Sequence, residues 1–101
     1  MAIVAVSISP VGGDVSVSRY VAEALRVLEG YPGIKTERGS MFTTLEGDID
    51  EIFAAIREMQ EAVFAAGADR VGTVMKVDER RDKEMTMEGK LSSVRRHLES
   101  E

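Results

Sequence analysis

Residues 41–78 read MFTTLEG (41–47), DIDEIFAAIREMQEAVFAAGA (48–68) and DRVGTVMKVD (69–78). Their periodicities decide the fold, because they spell strand, helix, strand. Ile49, Ile52, Phe53, Ile56, Met59 and Val63 recur at steps of three and four, which stacks them on one helical face. Asp50, Glu51, Arg57, Glu58 and Glu61 fall elsewhere on the helix. One apolar stripe of this kind needs one apolar sheet. Asp48 and Glu51 have the spacing of a capping box, and Gly67 supplies the permissive backbone on which helices end.

Upstream, Ala2, Val4, Val6 and Ile8 alternate with Ile3, Ala5, Ser7 and Ser9, the pattern of a first strand that Pro10 stops. Val11-Gly12-Gly13-Asp14 reads as a connection. A helix is expected over about Val17 to Glu29 with Ser16 as its N-cap, burying Val17, Tyr20, Val21, Ala24, Leu25 and Leu28. Gly30-Tyr31-Pro32-Gly33 ends it, since proline cannot continue a helix. Ile34 to Arg38 is a short second strand, Gly39-Ser40 turns it into the third, and Arg70 to Val77 is the fourth. Thr86 caps a last helix from Met87 onward, with a narrow seam of Met87, Leu91, Val94 and Leu98.

The order β-α-β-β-α-β plus a carboxy-terminal helix is an α+β, ferredoxin-like arrangement, built as one domain over residues 1–101. Right-handed crossovers place both main helices on one face of an antiparallel sheet. The other face stays open. Ile3, Ala5, Met75 and Val77 are candidates to carry apolar area there, and a half-covered sheet tends to pair with a second subunit.

A chain of 101 residues buries only roughly 60–65% of its unfolded surface, so association would add to a modest core. It has no cysteine, which excludes disulfides and thiolate chemistry. The start MAIVAVSIS reads as a strand rather than a signal peptide, and no run approaches the ~20 apolar residues of a membrane span. A cytoplasmic protein is expected. Net charge of −5 argues against nucleic acid, which needs a positive footprint. The run KVDERRDKE (76–84) alternates in sign and reads as ion-paired.

Candidate chemistry is sparse. His97 is the one histidine; near the end of a polar helix, it has no acid or nucleophile beside it in sequence, so neither catalysis nor a metal site is expected. Asp48, Asp50 and Glu51 are explained by capping and the helix dipole. Ser7 and Ser9 at the end of the first strand suit either a pocket wall or strand-end hydrogen bonds. Tyr20 and Phe42 suit either packing or stacking on a flat heterocycle.

With these segments in place, the chain resembles the small thiamine-binding proteins related to thiamine and hydroxymethylpyrimidine-binding domains of the YkoF type. The resemblance spans nearly all of it: VSISPVG (6–12), SVSRYVAEAL (16–25), LEGDIDEI (45–52), EAVFAAGADRV (61–71) and KVDERRDKEMTMEGK (76–90). It implies a ferredoxin-like subunit that pairs through its sheet into dimers and dimers of dimers, and that binds a small molecule of thiamine type without catalysis or cofactor. Ser7, Tyr20, Thr43 and Asp48 match the family's segments as candidate ligand contacts. Phe42 stands where relatives usually have glycine, so its ring either stacks on a ligand or closes the cavity. Lys76, Arg80, Arg81 and Asp82 would serve subunit contacts or, for a phosphorylated ligand, its phosphate. Two other outcomes stay open: an assembly protein that has lost its ligand, and a cofactor-free oxygenase on the same scaffold.

Overall fold

A computed structural model describes residues 1–13 and 17–100. The elements are β1 (Ala2–Pro10), α1 (Ser18–Val27) with a 3-10 turn (Leu28–Gly30), β2 (Lys35–Arg38), β3 (Thr43–Gly47), α2 (Ile49–Ala65), β4 (Val71–Glu79) and α3 (Met87–Glu99). The four strands form one antiparallel sheet in the order β2-β3-β1-β4. This is the expected ferredoxin-like α+β fold with its extra helix.

The alternation of β1 resolves into two faces. Ala2, Val4, Val6 and Ile8 join Leu45 of β3 and Ile52, Ala55, Ile56, Met59 and Val63 of α2 in the core, which α1 closes with Ala24. Phe53 was expected in that stripe but lies outside it, and Ala55 is inside. Ile52, Ile56, Met59 and Val63 are buried as expected, so the stripe differs from the expected one only at its margin. Its start is as expected: the Asp48 carboxylate accepts the Glu51 N–H at 3.1 Å, so one orphan amide of the first turn is satisfied.

At α1 the boundaries move. Val17 occupies the N-cap position with no side-chain bond, while Ser16, the expected cap, lies outside the described residues. Val17 is exposed, and Tyr20, Leu25 and Leu28 only border the core.

Register corrects the reading of the second face. Val4 is paired with Val77 and Val6 with Met75, so Met75 and Val77 share the helix-covered face and overhang its edge on an outer strand. The second face carries Ile3, Ala5, Ser7 and Ser9 of β1, Thr44 and Glu46 of β3, and Val74, Lys76 and Asp78 of β4. Only its far end is covered. There the buried Glu46 side chain accepts the Met87 N–H at 2.7 Å, and Lys90 of α3 reaches Asp78 at 2.5 Å. Beyond this docked turn Leu91, Val94 and Leu98 remain exposed, the last at 74%. No described helix is long and apolar enough to cross a membrane.

Candidate functional site

The site follows from unequal strand lengths. β1 pairs with β3 only from Ala2 to Val6, where Val6 faces Thr43, but it continues beside β4 as far as Pro10. A notch is left next to Ser7–Pro10, on the side where β3 has ended. The Val11 N–H donates to the Arg70 carbonyl at 2.8 Å, one residue beyond the β1–β4 pair Pro10–Val71. In an antiparallel ladder such bonds alternate along the strand, so Ser7 and Ser9 turn their backbone groups toward β4. Ile8 therefore turns its N–H and C=O into the notch, where they have no ladder partner among the described residues. Pro10 points the same way and has no N–H to leave unpaired.

Above the notch is a cleft of about 390 Å³, within the range of small-molecule sites. Its roof is Val21, Ala24 and Leu25 of α1 with Met59 of α2, and its floor is Val6 and Ile8. The β2–β3 turn makes the outer wall with Ser40, Met41 and Phe42. That turn is fixed by the Gly39 N–H donating to the Phe42 carbonyl at 2.9 Å. A Cβ on Gly39 would lie 2.5 Å from the same oxygen, so this close approach requires glycine. Phe42 keeps 39% of its surface exposed, available to a ring laid against it.

Of the expected contacts, Ser7, Phe42 and Thr43 all border this cleft. Thr43 lies on the helix-covered face with Val6, whereas Ser7 has the parity of the second face and contributes the strand edge. Tyr20 is not brought there. It borders a neighbouring shallow hollow with Pro10 and Gly67, and the Arg19 guanidinium stacks 4.4 Å from its ring centre. Asp48 is at the opposite end of the sheet, following Gly47, which pairs with Ala2. Its carboxylate is engaged in the cap.

Lys76, Arg80, Arg81 and Asp82 are likewise distant from the cleft. Lys76 stands on the second face, at the groove between the sheet and Leu91. Arg80 makes two bonds to Asp82, at 2.5 and 2.8 Å, and the guanidinium holds the Asp82 carboxyl down to about 2. Arg81 pairs with Glu79. Lys90, through its hydrogen bond and its charge, lowers the pKa of Asp78. A larger hollow of about 590 Å³ lies among these groups between β4 and α3. Its charged walls partly neutralise one another and give a flat apolar ring little to lie on.

Sequence reasoning missed Arg38, which lines the cleft at the end of β2. The signal was parity: Ile34 is buried, so Thr36 and Arg38, two and four residues on, share its face. His97, by contrast, is exposed on α3, away from the lining.

A sequence model of the family described as thiamine-binding protein matches residues 4–95. The chain is 44% identical over 103 residues to the UPF0045 protein YqgV of Bacillus subtilis, covering 98% of this chain and 99% of that protein. It superposes on the crystal structure of the hypothetical protein MJ1052 of Methanocaldococcus jannaschii with a TM-score of 0.84 and 44% identity, over 92% of this chain and 94% of that one. A protein of Thermotoga maritima described as a putative thiamine biosynthesis/salvage protein shares the fold with a TM-score of 0.77 at 24% identity, over 92% and 97% of the two chains.

Proposed function

The chain belongs to the thiamine-binding protein family, and from that premise we propose that the cleft beside β1 binds a ligand of thiamine type through its aminopyrimidine, without turnover. The observation that carries this reading is the notch at Ile8. A free peptide N–H and C=O side by side complement the ring nitrogen and amino group on one edge of an aminopyrimidine. The apolar roof and floor take its two faces, and Phe42 offers an aromatic surface. The lining supplies hydroxyls, backbone groups, one guanidinium and hydrocarbon, a set suited to holding a ring. Binding without catalysis is part of the proposal.

Calorimetric titration of thiamine tests it. Wild type is expected to release binding heat at one site per chain, and Phe42→Gly to bind roughly two- to tenfold more weakly through loss of a stacking contact of roughly 0.5–1.5 kcal/mol. Tighter binding by the glycine variant would mean that the ring closes the cleft. No heat from either protein would favour an assembly protein without ligand.

The proposal includes self-association. Ala5, Thr44, Lys76 and Val74 occupy the part of the second face beyond the docked first turn of α3, and Leu91, Val94 and Leu98 continue the apolar surface along that helix. A second copy covering this area would add what a small core lacks. Sedimentation velocity at micromolar concentration is expected to show a dimer or a dimer of dimers; a stable monomer overturns this part.

A further inference from the structure

Among the described residues that line the cleft, the single formal charge belongs to Arg38 and there is no carboxylate. Arg38 is the last residue of β2 and pairs with Thr43, which pairs in turn with Val6. Its side chain therefore leaves the sheet on the helix-covered face, at the outer end of the cleft. It also borders a shallow hollow beside Leu25, Leu28 and Glu29, so it bridges the cleft and open solvent. Among the described residues it takes part in no ion pair. In a chain of net charge −5, a guanidinium with no ion-pair partner among the described residues, at the rim of a recess whose described lining is otherwise uncharged, is a local attraction for an anion.

This placement bears on the half of the ligand that the notch does not hold. With the aminopyrimidine edge on Ile8, the arm leaving the ring has the rim as its outlet. A phosphoester there meets a planar fork of donors that matches two of its oxygens.

We propose that the cleft selects an aminopyrimidine whose arm ends in a phosphomonoester, and that Arg38 is the residue that determines this selection. The inference rests on the aminopyrimidine reading above and adds the charge class of the ligand. It also relocates anion recognition from Lys76, Arg80 and Arg81, on the second face and beyond it, to the outer end of the helix-covered face. Binding draws on the guanidinium for affinity and on the Ile8 edge for ring identity, so inorganic phosphate alone binds weakly.

The test is calorimetric titration, at low ionic strength, of the aminopyrimidine alcohol, its phosphomonoester and inorganic phosphate into wild type, Arg38→Gln and Arg38→Lys, each first shown to be folded by thermal unfolding. Wild type is expected to bind the phosphomonoester on the order of tenfold more tightly than the alcohol, the size of a charge-assisted hydrogen-bond contribution. In Arg38→Gln the two ligands bind alike, and Arg38→Lys restores part of the preference. Equal affinities in wild type, or a preference that survives in Arg38→Gln, overturn this proposal and leave the aminopyrimidine reading intact. If wild type binds inorganic phosphate as tightly as the phosphomonoester, the site is a bare anion site and both readings fail. Failure of wild type to bind either organic ligand also removes both.

Discussion

Leu45→Ala lowers the free energy of unfolding by about 2–5 kcal/mol. Leu45 is fully buried at the middle of β3, opposite Val4 on β1 and Thr36 on β2. Its side chain packs in the same cluster as Ile52, Ile56 and Val63. Truncation removes the transfer free energy of the lost carbons and leaves a cavity that two strands and a helix cannot close without shifting the ladder. A domain of this size has only about 5–15 kcal/mol in total. The variant should therefore unfold at a much lower urea concentration with an unchanged slope. A loss under about 1 kcal/mol would mean that the sheet and α2 are not packed as described. The consequence reaches the cleft, because the β1–β3 register that ends at Thr43 is held by the residues on either side of Leu45.

Glu46→Ala is the second large effect, expected at about 1.5–3 kcal/mol, the range for hydrogen bonds to a charged partner. Glu46 is only 8% exposed and joins points 41 residues apart by accepting the Met87 N–H. Removing it strands a helix-start amide beside Ile3 and the buried Met87, so the first turn of α3 loses its anchor. Hydrogen exchange separates this from global unfolding: α3 amides should lose protection while those of β1 and α2 keep theirs. Glu46→Gln retains an oxygen acceptor in the same shape and is expected to lose less. Equal protection of α3 in wild type and Glu46→Ala would show that the helix is held by something else. Because α3 forms one border of the second face, the alanine variant should also weaken the proposed self-association.

Much of the fold was legible in the residues. The caps of α2 and α3 were readable because Asp48 and Thr86 act within three residues of themselves, on Glu51 and Gly89. The alternation in β1 separated Val4 and Val6 from Ile3 and Ala5 without reference to any other strand. Where the partner was distant, the reading slipped. Met75 and Val77 were candidates for the open face because alternation within one strand shows which residues share a face but not which face is inward. Only pairing with Val6 and Val4 fixes which sense is inward. Phe53 was expected inside because it continues the steps of three and four, but it lies at the margin of the stripe and stays exposed while Ala55 is fully buried.

The candidate site divides in the same way. Ser7, Phe42 and Thr43 flank the end of the first strand and the start of the third in sequence, and the cleft gathers them. Tyr20 and Asp48 share the family's segments but are directed elsewhere, the one toward Arg19 and the other to its own helix.

The sequence by itself determined the order of elements, the ends of α2 and the start of α3, the inward face of β1 and the family. These depend on local periodicity and on contacts a few residues long. Tertiary structure alone decided that β3 stops at Thr43 while β1 runs on to Pro10, which frees the Ile8 edge and brings Arg38 to its rim. It also decided how little of the second face α3 covers. Both are matters of register and docking between distant segments, set by how whole surfaces fit, and no local pattern carries that information.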